Sequence, residues 1–286
     1  MVGSAGGSAA LIDRFYRLRY HRRMGMFSAI ASGLASTVRQ AINEQECFLC
    51  GMAATRSLCD ACTAACPALP RDVCPRCARP AAGGLTCGRC LHTPPHFDAT
   101  IAAFAYAAPL DQALWAIKYR AVLGLGGFLS DALAHALHHT PPPDLIVPMP
   151  LFRRRLSERG FNQALELARP LIKQRSRAAT KPRANLHGVK LDASVVRRIR
   201  DTPPQAGLPW DERARNIQGA FACVKPFAVA GLRVAVVDDV ITTGASLNEM
   251  ARVLKTAGAA QVSNWVIART LPTLPYGAAI NPPLRQ

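Results

Sequence analysis

Acidic side chains and aromatic rings are both scarce in this chain. Only 18 Asp and Glu stand against 35 Lys and Arg, which leaves a formal charge of +17 over 286 residues. An excess of that size favours anionic partners such as nucleotides, pyrophosphate, nucleic acid or acidic lipid, without choosing among them. Aromatics are 6% of the sequence and offer little stacking surface for bases. No apolar run approaches the ~18 residues of a membrane span. The arginine-rich opening lacks the order of a secretory signal, in which basic residues precede an apolar core and a cleavage site. Two common phosphate loops are missing as well. No Gly-Lys-Ser/Thr ending marks a Walker loop, and no Gly-x-Gly-x-x-Gly follows a strand.

Cysteine is plentiful, and its placement is informative. Eight of the ten form Cys-x-x-Cys pairs: Cys47 with Cys50, Cys59 with Cys62, Cys74 with Cys77, and Cys87 with Cys90. Confinement to one segment favours metal in a reducing cytoplasm over disulfides. Two pairs offer four thiolates to a tetrahedral ion, so the eight sulfurs suit two closed, structural zinc sites with no position open to substrate. Consecutive pairing needs the shortest loops; interleaved pairing is also open, and iron-sulfur ligation suits the spacing less well. Cys66 falls outside the pattern. So short a segment has few large apolar residues, and metal binding should supply its folding energy. Its arginines, Arg56, Arg71, Arg76, Arg79 and Arg89, fit a nucleic-acid or protein contact as well as a solvated basic face.

The stretch Leu232 to Gly258 carries the strongest chemistry. Leu232 to Val237 are almost continuously apolar, which predicts a parallel strand buried on both faces. Asp238 and Asp239 follow, then the small loop Thr242, Thr243, Gly244, Ala245 and Ser246. A helix is predicted next, with Leu247, Met250, Val253 and Leu254 on one face and Gly258 beyond its end. Amides at a helix start, with the hydroxyls of Thr242, Thr243 and Ser246, suit a phosphate. Carboxylates touching that phosphate would repel it, so they serve another part of the ligand. Paired hydroxyls meet that need, and the simplest ligand is a phosphorylated sugar. Helix capping by Thr243 or Ser246 would explain only half of the run.

Two further stretches converge on the same chemistry. The short strand Asp144 to Val147 opens into PMPLFRRRLSERGFNQ, where Arg153, Arg154, Arg155 and Arg159 can face a polyanion. Ligands of open α/β sheets gather at strand C-termini, so this loop and the aspartate loop should share a crevice. Val195 to Phe221 is polar, basic and broken by proline, as expected of a lid. Arg198, Arg200 and Gln205 are its candidates for closing over an anion, with Asn216 and Phe221 anchoring its return. His135, His138 and His139 lack a ligand pattern and read as surface residues.

The run VAVVDDVITTGAS resembles the phosphoribosyl pyrophosphate (PRPP) signature of type I phosphoribosyltransferases. With the cysteine pairs, VPMPLFRRRLSERGFNQ, RDTPPQAGL and ERARNIQGAF in order, residues 46–270 resemble the ComF/GntX family of phosphoribosyltransferase-like competence and DNA-utilisation proteins. The resemblance implies a type I phosphoribosyltransferase fold, an open and mainly parallel sheet with flanking helices, preceded by a double zinc-ribbon module. It implies that Asp238 and Asp239 are catalytic and hold the ribose hydroxyls, and that Thr242 to Ser246 hold the 5-phosphate. Arg155, Arg159, Gly160, Asn162, Gln163, Arg198 and Arg200 would lie near the pyrophosphate, with Mg2+ bridging pyrophosphate and ribose oxygens. The partners implied are PRPP and a nucleobase or amine acceptor. In a non-catalytic alternative they are PRPP with single-stranded DNA or DNA-uptake proteins. No residue identifies the acceptor, whose hood must come from segments 96–145 or the zinc module.

The expected organisation has four parts. Residues 1–45 form an extension whose apolar positions Phe27, Ile30, Leu34, Val38 and Ile42 predict an amphipathic helix. The zinc module spans 46–95, the phosphoribosyltransferase-like domain 96–270 with a basic insertion at 174–188, and an irregular tail 271–286.

Overall fold

A computed structural model of the chain describes residues 45–173, 184–186, 188–202 and 215–271. The helix expected from Phe27, most of the basic insertion, Gln205 and the tail after Leu271 lie outside the described residues.

The short strands β1 (Gln45–Glu46) and β2 (Ala53–Ala54) pair antiparallel in the first cysteine group, followed by helix α1 (Asp60–Ala64). Helix α2 (Gly88–His92) belongs to the second group. The chain then runs through β3 (Ala99–Ala105), α3 (Leu110–Arg120), α4 (Leu125–Ala136), β4 (Leu145–Pro148), α5 (Arg153–Arg159) and α6 (Gln163–Lys173). After β5 (Lys190–Leu191), β6 (Val196–Arg198) and β7 (Phe221–Cys223) come β8 (Arg233–Ile241), α7 (Ala245–Thr256) and β9 (Gln261–Arg269).

Five strands form the central sheet in the order β3-β9-β8-β4-β5, and every pairing is parallel. Its central strands are apolar on both faces, as burial between two helix layers requires. Side chains alternate along β8: Val234 and Val236 join one cluster, Ala235 and Val237 the other. On the first face, Leu247, Met250, Ala251 and Leu254 of α7 pack with Val262 and Val266 of β9. On the second, leucines of α3, α4 and α6, among them Leu114, Leu129 and Leu167, pack with Trp265 and Ile267. Each fully buried leucine contributes about 1.5–3 kcal/mol of transfer free energy.

The cysteine groups are built into these same layers. Cys74, Cys77 and Cys90 belong to the α7 cluster, while Cys47 and Cys66 belong to the α3–α4–α6 cluster. The cysteine-bearing segment also covers the outer edge of β3: the amides of Thr100 and Ala105 donate to the carbonyls of Pro75 (3.0 Å), inside the second group, and Pro67 (2.9 Å), between the groups. An edge strand is thereby closed to other chains.

Three expectations need correction. The strand expected to stop at Val237 continues to Ile241, because β9 runs beside it and pairs Asp238 with Val266, Val240 with Ala268 and Ile241 with Arg269. Both aspartates therefore sit within the strand. The arginine run expected as a loop is the helix α5, closed by Gly160 in the left-handed conformation at φ 80°. The stretch Val195 to Phe221 is not irregular at its ends, because β6 and β7 pair antiparallel and satisfy each other's backbone groups.

Candidate functional site

The site gathers at the C-terminal ends of β8 and β4. Asp238 is partly exposed, and its Oδ1 accepts the amide of Asp239 at 2.9 Å. Asp239 is buried, its Oδ1 accepts the amide of Val240 at 2.8 Å, and its Oδ2 meets Lys118 Nζ of α3 at 2.5 Å. The two neighbouring carboxylates thus differ in kind. Burial, and then the charge of Asp239, push the Asp238 carboxyl up to about 8. Burial acts against the Lys118 ammonium, but Asp239 outweighs it and holds the lysine above its usual range.

Beyond Ile241 the chain turns through Thr242 to Gly244 into α7. Gly244 has φ 85°, and a Cβ there would meet Ile241 Cδ1 at 3.6 Å, so glycine suits both the turn and the packing. Thr243 is buried, and its hydroxyl accepts the Ala245 amide at 3.1 Å. Thr242, Ala245 and Ser246 are half-buried around the helix start. Arg269, at the end of β9, is fully buried and braces this loop: its Nη1 donates to the carbonyls of Ile241 (2.8 Å) and Thr242.

The predicted pyrophosphate residues divide into two kinds. Arg155 and Arg198 lie in one electrostatic neighbourhood with Asp238. Burial, followed by repulsion from Arg155, holds Arg198 below the usual arginine range, and its guanidinium stacks 5.6 Å from the Phe221 ring. Arg159 donates to Gln163 Oε1 at 2.5 Å and stacks 5.7 Å from the Tyr119 ring, which brings α5 against α3 beside Lys118. The others make hydrogen bonds within the fold. Asn162 caps α6, its Oδ1 accepting the Ala164 amide at 3.0 Å while its Nδ2 holds the Met149 carbonyl at 3.0 Å. Arg200 donates to the carbonyls of Asn216 (2.7 Å) and Gln218 (2.5 Å), which ties together the two ends of the β6–β7 arm.

Lys118 and Arg269 were not singled out from the sequence. A signal existed for each: Lys118 stands four residues after Leu114 on the buried face of its helix, and Arg269 ends the otherwise apolar WVIAR.

The thiols form two groups, Cys47/Cys50/Cys59/Cys62 and Cys74/Cys77/Cys87/Cys90, with all Sγ atoms in each within 4.8 Å of one another. This is the consecutive pairing. The Sγ atoms of Cys50 and Cys59, and of Cys77 and Cys87, are 3.7 Å apart. Four ligands at ~2.3 Å from a tetrahedral zinc would stand about 3.8 Å apart, so the groups fit that ion. The first sulfur of each group accepts an amide from the third cysteine, Cys59 N to Cys47 Sγ and Cys87 N to Cys74 Sγ, both at 3.3 Å. Burial opposes ionisation of Cys47 and Cys74, but such amide bonds outweigh it and bring them to about 6 and about 7. All ten cysteines are free of disulfides.

Among the described residues, no helix is long and apolar enough to cross a membrane.

No protein-family model matches the chain. Its similarity to curated proteins is extensive. The DNA utilization protein YhgH of Salmonella typhi is 35% identical over 234 residues, 79% of this chain and 97% of the relative. YhgH of Escherichia coli (strain K12) is 34% identical over 235 residues, with the same shares of 79% and 97%. Competence protein F of Haemophilus influenzae is 32% identical over 190 residues, 64% of this chain and 78% of the relative. Among solved structures, an allosteric regulatory enzyme of purine biosynthesis aligns over 50% of this chain and 26% of its own, at 17% identity and a TM-score of 0.30. Glutamine PRPP amidotransferase from B. subtilis, complexed with ADP and GMP, gives 49%, 26%, 18% and 0.28 for the same measures.

Proposed function

Because the chain belongs to the ComF family, we propose that it binds PRPP at the β8–α7 crevice and serves the use or uptake of DNA as a phosphoribosyltransferase-type protein. The observation that carries this reading is the charge interaction of Arg198 with Arg155 and with Asp238, which lies on the strand leading into the Gly244 turn. A diol acceptor, two guanidinium groups and a helix start are three partners for the three parts of PRPP.

In this reading the Thr242 to Ser246 loop takes the 5-phosphate and Asp238 the ribose hydroxyls. Arg155 and Arg198 stabilise charge on the departing pyrophosphate, which leaves with the C1–O electron pair. A nitrogen nucleophile then bonds to C1 and gives up its proton. Catalysis is positioning and electrostatic stabilisation. Bound Mg2+ would neutralise pyrophosphate oxygens and favour the ionised form of the partly exposed Asp238 carboxyl, which would give up its proton to hold it. Asp239 contributes through Lys118 by fixing the charge balance beneath the ribose.

The test is pyrophosphate release from PRPP and Mg2+ across nucleobases and simple amines, with Asp238→Asn as control. Release with one acceptor, lost in the variant, would support a transferase and name its acceptor. Unchanged PRPP affinity in Asp238→Asn would sink the site assignment. A second reading, a non-catalytic PRPP-binding accessory for single-stranded DNA, draws support from α3. Trp115 and Tyr119 are 50% and 65% exposed there, and Arg120 stacks 5.1 Å from the Trp115 ring. Exposed rings beside guanidinium groups suit unpaired bases.

A further inference from the structure

We propose that the two cysteine groups have different tasks: the second positions loop 242–246 through Arg269, so that the loop and that metal site are coupled, and the first takes no part. The proposal rests on the reading of this loop as the ligand loop. Arg269, at the end of β9, is the joint. It is fully buried, and its Nη1 donates to the carbonyls of Ile241 (2.8 Å) and Thr242, which lead the chain into the turn. Thiols share its surroundings, since Cys77 and Cys90 line the same cavity as Arg269, Thr243 and Gly244. Burial opposes the charge on Arg269 most and Arg79 and Arg89 add repulsion, whereas Cys77 and Cys90 favour it. A buried guanidinium needs negative charge close by. Zinc held by Cys74, Cys77, Cys87 and Cys90 would supply it, because four thiolates leave the ion with a net double negative charge.

Two further contacts make the same connection without Arg269. The amide of His96 donates to Asn248 Oδ1 on α7 at 2.7 Å, so the chain leaving the second group is bonded to the helix that the loop enters. Phe97, 3% exposed, packs at the turn itself, where a Cβ on Gly244 would stand 3.9 Å from Phe97 Cζ. The group is in turn fixed to the sheet, since the Thr100 amide donates to the Pro75 carbonyl between Cys74 and Cys77. Coupling between two sites needs a continuous chain of contacts, and here charge, hydrogen bonds and packing provide it. The first group belongs elsewhere. Cys47 packs in the α3–α4–α6 cluster on the opposite face of the sheet, and the Ser57 hydroxyl donates to the Gly124 carbonyl at the start of α4 at 2.7 Å. One group staples helices; the other backs the loop.

The experiment reads the metal sites while the loop is changed. The full chain is loaded with the NMR-active isotope of cadmium, a soft d10 ion that takes the same thiolates as zinc, and each group's resonance is assigned through its cysteine β-protons. Gly244→Ala disturbs the loop without any ligand, because φ is 85° there and the new Cβ would meet Ile241 Cδ1 at 3.6 Å. This variant should move the second group's resonance and leave the first in place. The shift should fall by roughly half or more when Arg269→Gln is added, and by a smaller, measurable amount with Asn248→Ala, which removes the His96 link from a half-buried position and spares the core. Cadmium content and circular dichroism verify that each variant is folded. PRPP with Mg2+ should move the same resonance in the unaltered chain and bind about tenfold more weakly to Arg269→Gln. If the Gly244→Ala response and its dependence on Arg269 hold in a protein that does not bind PRPP, the positioning stands and the proposed function falls. A second-group resonance indifferent to Gly244→Ala, a shift unchanged by both Arg269→Gln and Asn248→Ala, an equal response of the two groups, or PRPP binding that leaves the second resonance in place would overturn the inference.

Discussion

Lys118 Nζ stands 2.5 Å from Asp239 Oδ2, joining helix α3 to the strand that carries both aspartates. The carboxylate side chain is 8% exposed and the lysine 25%. Such a pair gains little over a well-packed apolar one, yet losing one partner strands a buried charge. Lys118→Met should therefore destabilise the protein by roughly 3 kcal/mol. Adding Asp239→Asn should recover much of that loss, because the stranded charge disappears while the acceptor for the Val240 amide remains. Urea unfolding of the single and double variants measures both. Equal losses in the two would show that packing, not charge, is at stake.

Asp238 makes the opposite prediction with pH. Its folded pKa is raised from 3.8 to about 8, so between those values the folded state holds a proton that the unfolded chain has released. Stability must then fall as pH rises from 4 to 8 and level off above it. Asp238→Asn mimics the protonated form and should remove this dependence. A Tm gain at pH 8, absent at pH 4, is expected from differential scanning fluorimetry in buffer without PRPP or Mg2+. The same gain at both pH values would show that the carboxyl does not titrate in this window.

Much of this site was legible because its chemistry is local. The Asp-Asp pair, the Thr-Thr-Gly-Ala-Ser turn and the following helix lie within one short stretch, and each part obeys a period or a conformational demand. The cysteine groups were legible for the same reason, since short loops favour consecutive pairing. Lys118 and Arg269 were not, because their meaning lies across the sheet: one neutralises a strand from a helix more than a hundred residues away, and the other braces a loop from the neighbouring strand. The extent of β8 was hidden by charge. Two aspartates look like a strand end until β9 is seen to supply their backbone partners.

Zinc removal should unfold more than the cysteine module. Cys74 and Cys47 are 0% and 2% exposed and sit in the clusters on opposite faces of the sheet, so a metal held at each group would organise part of the main core. Cys74→Ser should lose one equivalent of zinc and lower Tm by about 10 °C or more. Cys66→Ser, at a buried thiol outside both groups, should keep both equivalents and cost about 1 kcal/mol. Zinc analysis of purified variants with thermal unfolding separates the two cases. Equal zinc loss in both would redraw the ligand sets.

The α3 surface provides the remaining prediction. A chain poor in aromatics nevertheless places Trp115 and Tyr119 one helical turn apart, with ring centroids 5.6 Å from each other. Arg120 and Arg159 stack on the two rings, and Lys118 lies between them in sequence. Base stacking on such a surface contributes ~1–3 kcal/mol per base, so Trp115→Ala with Tyr119→Ala should weaken binding of a single-stranded oligonucleotide about tenfold or more. Because the rings carry no charge, the dependence of affinity on salt should stay the same while its absolute value falls. Arg120→Ala should reduce that dependence. Fluorescence anisotropy over a salt series reads both quantities. Full affinity in the double aromatic variant would place DNA on another surface, whereas loss with an unchanged salt slope would assign base contact to α3, beside the proposed PRPP crevice.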